Sequence, residues 1–453
     1  MRSRTTRVAI GLAAFALVAS ACTSSTKSSG GTTGTTSGGS GGGATTTTLN
    51  ANDPAINQWA ITYTGGKAQK ATGSPINIGY VNNDSLFPEA TIGVNAAVAY
   101  ANAELNGADG HVINIKECQA TTAADGAKCG AQMANDSSIN LVLTGTLLDG
   151  NADLYNALNG KKAVIIGNGV TPADFTTKAG EAFVAGAPGV LTGMAKFGVS
   201  QFHPKTVAIL ANDNAAGHAG VALIMSPIFA KAGATVKSVF VPNEATGPQV
   251  QSAMTALGAG SADVFESILT LQSCIGMYDA IKALGVHPTV VTTGLCFGTP
   301  MTAHLQQAGD KGAYPDGWYF GGYGYSYYLP STTPGMAESG MNTYLAKVHQ
   351  YGKPAPGAST LEYSGFAGPM FGNVLTAVKF INQLGAAGAT VAALDAKIRS
   401  FTGPMMLQYG ALKCGVGLYP AVCGQYMGIQ QYINGAWKSI ADGHNGKPIN
   451  ATG

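Results

Sequence analysis

From Ile76 onward the chain alternates short apolar runs with longer stretches whose apolar positions fall on one face. INIGYV is followed by TIGVNAAVAYANAEL, HVINIKEC by TAADGAKCGAQMA, INLVLTG by NADLYNAL, and KAVIIGN closes the series. The runs have the length of buried strands and the stretches that of helices, which predicts a parallel sheet covered on both faces. A second series begins after EAFVAGAPG, with strands TVAILAN, TVKSVFV, DVFESIL and TVVTTG and helices over Val221 to Ala232, Gln249 to Leu257 and Met277 to Leu284. Helices follow over Gly335 to Gln350, Leu361 to Leu384 and Val391 to Arg399. In the tail, Asn434-Gly435 sits between alternating runs and predicts a two-residue hairpin. The fold class is therefore α/β, with two doubly wound Rossmann-like lobes.

The first residues do not fit this rhythm. Arg2, Arg4 and Arg7 precede an apolar run, Val8 to Ala21, too short to span a bilayer. This is the pattern of an export signal, and later stretches never reach the length of a membrane span. Ala19-Ser20-Ala21-Cys22 resembles a bacterial lipobox, with Ala19 where Leu or Val is usual. The resemblance implies removal of residues 1–21, a lipid on Cys22, and anchoring to the outer face of the cytoplasmic membrane. An ordinary signal peptide cleaved nearby is the plainer alternative. Residues 22–49 are nearly all Thr, Ser and Gly, too poor in apolar surface to fold, and predict a tether of about 25 to 30 Å. Gly38-Gly39-Ser40-Gly41-Gly42 satisfies a hydrolase pattern formally, but within this linker and without flanking strand and helix it carries nothing.

Only 11% of the chain is charged and the formal net charge is +2, so no phosphate-neutralising patch and no nucleic-acid partner are expected. With Cys22 set aside, six cysteines remain. Proximity in sequence pairs Cys118 with Cys129, Cys274 with Cys296 and Cys414 with Cys423. The histidines never approach one another at ligand spacing and no C-x-x-C occurs, so neither a metal nor a cofactor is expected.

The order of elements, with INIGYVNND, AYANAELNGADG, HVINIKECQAT, AVIIGNGVTPADF and the second-lobe opener TVAILANDNAAG, resembles the leucine/isoleucine/valine-binding branch of the type I periplasmic binding proteins, over about Ser74 to Ala441. These are the extracytoplasmic solute receptors of ABC importers. The resemblance implies a three-segment hinge near Ala185 to Pro188, Tyr323 to Tyr328 and Phe401 to Pro404. It would divide the chain into a first lobe of 74–187 with 329–402 and a second of 188–328 with 403–453.

Ligands of parallel sheets bind beyond the carboxyl ends of strands. The candidates in the first lobe are Asp84, Ser85, Phe87, Leu148, Asp149, Gly169 and Thr171, and in the second Asn212, Asp213, Thr270, Gln272 and Phe297. Tyr323 and Tyr325 come from WYFGGYGYSYYLP, whose seven aromatics suit either a ring-bearing ligand or a buried strand edge. Aspartates after strands also read as turn and helix caps. The acid that the resemblance implies for an amino-acid ammonium is missing near Phe297, which argues against an ordinary α-amino acid unless Asp213, Asp149 or Glu266 has taken that role.

The expected function is capture of a small polar or carboxylate-bearing molecule by lobe closure and its delivery to a membrane permease, by a monomer that is not an enzyme. The alternatives are a receptor-like lipoprotein used for sensing or protein contact, and an envelope hydrolase, against which stands the absence of catalytic motifs outside the linker.

Overall fold

The computed structural model describes residues 49–51, 53–329, 333–416, 419–440 and 448–451. The export signal, Cys22 and nearly all of the tether lie outside the described residues. The first sheet is built from β1 (Gly73–Asn82), β2 (His111–Gln119), β3 (Ile139–Thr144), β4 (Ala163–Ile166) and β5 (Glu181–Ala182), in the spatial order β2-β1-β3-β4-β5 with every pair parallel. The second contains β6 (Thr206–Asn212), β7 (Thr235–Val241), β8 (Val264–Ile268), β9 (Val290–Thr293) and β10 (Tyr319–Gly322), in the order β7-β6-β8-β9-β10, again parallel. The two orders are the same. In each, the chain reverses direction beside its first strand, which opens a crevice at that strand's carboxyl end.

The tail extends the second sheet. β11 (Tyr426–Ile433) runs antiparallel to β10, and β12 (Ala436–Ser439) and β13 (Ile449–Asn450) pair antiparallel with β11. Asn434 and Gly435 both take positive φ, +53° and +76°, as a tight two-residue hairpin turn requires. Both sheets belong to one compact unit.

Each sheet is buried on both faces. On one face of the first, Tyr80, Leu141 and Leu143 pack with Tyr100, Phe371 and Val374; on the other, Val81 and Val142 pack with Met133 and Leu154. Helices Met341–Tyr351 and Ala367–Leu384 both pack on helix Pro88–Glu104, so late sequence completes the first sheet's core. Lys347, fully buried, donates to both Glu104 oxygens at 2.8 and 2.7 Å and to the carbonyl of Ala51, tying three segments together. The three disulfides are Cys118–Cys129, Cys274–Cys296 and Cys414–Cys423, the pairs suggested by proximity.

Several elements depart from the hydrophobic pattern. The 17-residue helix Gly186–Phe202 is unannounced, because its glycines lower helix propensity by about 1 kcal/mol each. Packing overrides that cost: a β-carbon at Gly193 would lie 2.3 Å from Met427 Cγ, so the missing side chain lets the helix approach the sheet. The helix expected over Val221 to Ala232 is a composite of Ala215–Ala219, a π-helical turn Gly220–Met225, and Ser226–Lys231. Pro227 has no N–H for the carbonyl four residues back, which accounts for the widened ladder before it. The helix expected from Gly335 begins at Met341, after Gly340 at φ +83°; the one expected from Leu361 begins at Ala367, after Gly365 at φ +57°. Helix Pro54–Thr64, capped by Asp53 and ended by left-handed Gly65, packs on the two late helices and was not evident from the pattern.

Candidate functional site

The two crevices are built with the same device. At the end of β1, Asn82 Oδ1 accepts the N–H of Thr146 at 2.8 Å; at the end of β6, Asn212 Oδ1 accepts the N–H of Thr270 at 2.6 Å. Each asparagine also spends its amide donors on its own lobe. Asn82 Nδ2 donates to the Phe87 carbonyl at 3.0 Å, and Asn212 Nδ2 to the Pro242 carbonyl at 2.7 Å. Thr270 is held further, its hydroxyl donating to the Asn243 carbonyl. The polar side chains at the strand ends therefore fix the loops that carry them.

Between the loops lies a cavity of about 130 Å³. Phe87, Leu148, Val170, Phe366 and Thr146 contribute from the first sheet's side, and Leu191, Val190, Ile268, Leu269 and Thr270 from the second. Gly321 in β10 and Tyr323 just beyond it, with Thr293 at the end of β9 and Leu295 after it, complete the wall. Phe87 meets Phe366 edge-on at 5.4 Å, and Phe366 meets Tyr323 at 5.9 Å, giving one aromatic side. None of the residues lining the cavity carries a formal charge. Three hydroxyls face a guest: Tyr323, Thr146, which accepts from Asn168 Nδ2 at 2.6 Å and keeps its own proton to donate, and Thr293, whose buried Oγ1 has no hydrogen-bond partner.

A second cavity of about 90 Å³ adjoins it, sharing Gly294, Tyr323 and Gly365. Its wall is rich in tyrosine, with Tyr325, Tyr327, Tyr328, Tyr344 and Tyr363.

Of the candidates read from sequence, Phe87, Leu148, Asn212, Thr270 and Tyr323 line the first cavity, and Tyr325 lines the second. The others point elsewhere. Asp84 accepts from Asn82 and Thr91 and, on its other oxygen, from Gln119 at 2.8 Å. Ser85 donates to Asn83 at 2.6 Å. Asp149 and Gln272 are exposed. Gly169, at φ +56°, turns the chain so that its carbonyl accepts the N–H of Ala187 at 2.9 Å. Asp213 pairs with His218 at 2.7 Å on the surface. Phe297 is fully buried in the second sheet's aromatic core, 4.7 Å from Phe320 and 5.1 Å from Trp437.

Thr171 caps helix Pro172–Thr176 together with Asp174. Asp174 is buried and saturated with donors: the N–H groups of Val170 and Thr171 at 3.0 and 2.9 Å, the Thr171 hydroxyl at 3.1 Å, Asn151 Nδ2 at 2.8 Å and the Tyr155 hydroxyl at 2.6 Å. Burial pushes its carboxyl above the ordinary value, and these donors pull against that. Glu266, on β8, lies under helix Gly186–Phe202, away from the cavity wall; both its oxygens are buried without a partner, and burial pushes its pKa well up. Glu89, behind Gly365 and Phe366, is raised to about 8 by burial. The residues that sequence reasoning missed, Ala187, Val190 and Leu191, come from the unannounced helix, and Phe366 from a segment expected to be helical already.

Among known proteins, a family model described as "Periplasmic binding protein" matches residues 76–410. No curated protein matches the sequence. Among solved structures, an ABC transporter substrate-binding protein from Sphaerobacter thermophilus shares 16% identity, covering 83% of this chain and 98% of its own, with a TM-score of 0.64. A solute-binding protein of an R. palustris ABC transporter, in complex with 4-hydroxybenzoate, shares 15%, covers 83% and 96%, and gives 0.62. A branched-chain amino acid transporter substrate-binding protein from Streptococcus pneumoniae, in complex with isoleucine, shares 16%, covers 81% and 99%, and gives 0.60. At such identities these likenesses establish the shared fold.

Proposed function

This chain belongs to the periplasmic binding protein family, and from that premise we propose that it is the solute receptor of an ABC importer, closing two lobes on a small organic molecule and presenting the closed form to a membrane permease. The observation that carries this reading is the cavity at the facing carboxyl ends of the two sheets, walled from both sides by side chains such as Phe87 and Leu148 on one and Leu191 and Ile268 on the other. A guest held from both sides stabilises the closed arrangement by contacts that an open one lacks. Such capture needs no nucleophile. The relatives crystallised with 4-hydroxybenzoate and isoleucine make aromatic and branched aliphatic solutes the first to try.

The lobes of this reading are 74–187 with 329–402 and 188–328 with 403–453. The packing of the late helices on Pro88–Glu104 and the pairing of β11 with β10 support that division. A lipid on Cys22 would hold the receptor to the outer face of the membrane beside its permease. Replacing Cys22 by Ala should then release the protein from the membrane fraction; full retention argues against the anchor.

The test of function is a thermal melt of the protein against amino acids, amides, short-chain acids and aromatic acids. A solute that binds the folded state alone raises the midpoint, by about 2.7 kcal/mol of stability at a hundredfold excess over Kd. Silence across the panel, together with hydrolysis of a generic ester, would sink the receptor reading.

A further inference from the structure

We propose that the cleft selects an uncharged, largely apolar solute carrying one or two neutral oxygen groups, an alcohol, ketone or amide, and that Asp174 is the residue that bars carboxylates. The inference rests on the receptor reading and narrows its ligand.

The cavity wall holds apolar side chains and hydroxyls and no cation. A carboxylate entering it would shed water without gaining a counter-charge, which costs several kcal/mol. Donors could still compensate, and the turn at 170–171 is where backbone donors and a hydroxyl converge behind the wall at Val170. They are already taken. One oxygen of Asp174 accepts both N–H groups and the Thr171 hydroxyl, at 2.9 to 3.1 Å, so the chain's own carboxylate fills the nest. Asn151 and Tyr155 hold its other oxygen, at 2.8 and 2.6 Å, which leaves it no freedom to swing away.

Glu89, behind Gly365, is raised to about 8 by burial, so at pH 7 it is mostly protonated and adds no counter-charge either. The wall itself stays neutral. The groups that meet a guest suit neutral oxygen: the hydroxyls of Thr293, with no protein partner, and Tyr323 can each donate or accept, and that of Thr146, which accepts from Asn168, can donate.

Matched pairs that differ in charge and little in shape provide the test: benzamide against benzoate, and 4-methylpentanamide against 4-methylpentanoate, each titrated calorimetrically into the full chain at pH 7. The neutral member should bind on the order of tenfold tighter or better. A carboxylate that binds as tightly as its amide overturns the inference while leaving the receptor reading intact, and so does a panel in which carboxylates alone bind. If neither these pairs nor the wider melt panel gives any response and a generic ester is hydrolysed instead, both readings fall.

Asp174→Ala removes the carboxylate and frees the N–H groups of Val170 and Thr171. It should bring the paired affinities to within about threefold of each other, by admitting the acid. A merely structural role for Asp174 would lower both affinities together and leave their ratio unchanged, which would remove Asp174 from the proposal. Should the variant not fold, the ratio measured on the native protein decides the ligand class, and Thr293→Val, which deletes the unpartnered hydroxyl, should weaken the amide several-fold. An amide affinity that ignores Thr293→Val overturns its assignment as a ligand contact.

Discussion

Glu266 offers the sharpest quantitative test of the packing. Its carboxyl lies between β8 and helix Gly186–Phe202, where a β-carbon at Gly198 would sit 3.0 Å from both Glu266 Oε1 and the Phe229 ring, and neither oxygen has a partner. Burial keeps it protonated in the folded protein well above the ordinary value of 4.5. The unfolded chain releases that proton above pH 4.5 and the folded chain retains it, so between the two pKa values the unfolded state binds fewer protons and stability falls as pH rises. The cost of holding the proton therefore grows with pH above 4.5, by on the order of 1 kcal/mol per pH unit, until the folded group too gives it up. Glu266→Met is unbranched, close in volume and free of polar atoms, and should recover that cost. Urea unfolding of both proteins at pH 5 and pH 7 should show a gain that is larger at pH 7, by up to about 1 kcal/mol per pH unit. A gain independent of pH, or a loss at pH 7, would refute the account of a neutral carboxyl with no partner.

Lys347→Met removes two charge-assisted bonds to Glu104, which keeps its donors from Asn57 and Tyr351, and should cost about 1 to 3 kcal/mol, read by the same urea titration. Replacing Cys274 and Cys296 together by Ser should cost about 2 to 4 kcal/mol, and reducing agent should then affect the variant less than the native protein. Asn212→Ala removes the acceptor of the Thr270 N–H inside the second lobe; it should lower the melting midpoint and weaken any bound solute, because the Thr270 loop forms part of the cavity wall.

The strands were legible because parallel strands buried on both faces read as unbroken apolar runs, and INIGYV, INLVLTG and TVAILAN all lie in the sheets where the alternation puts them. What escaped was the helix Gly186–Phe202. Its glycines are there for contact with Met427, Glu266 and Phe229, and such a tertiary reason leaves no local signal. The loss carried over to the site, since Ala187, Val190 and Leu191 all come from that helix. Strand-end loops were found correctly as places, but their side chains could not be aimed. Asp84, Ser85 and Asp213 turn to neighbours within their own lobes, while Leu148 in the same class of loop faces the cavity.

That division of labour follows from the two matching crevices. Each lobe ends its first strand in an asparagine that clamps the N–H of a threonine on the loop after its third strand, Asn82 to Thr146 and Asn212 to Thr270. Spending side-chain polarity on the scaffold satisfies backbone donors that would otherwise face a dry cavity, where each unmet group costs about 1 to 3 kcal/mol. It also makes the loops rigid enough to present apolar side chains at fixed positions. The guest is then met mainly by shape and apolar surface, with a few hydroxyls to orient it. A receptor built this way can change its ligand through residues such as Leu148, Leu191 and Phe366 without disturbing the asparagine clamps. The recurrence of Asn82 at Asn212 thus records the architecture, and the residues between the clamps record the solute.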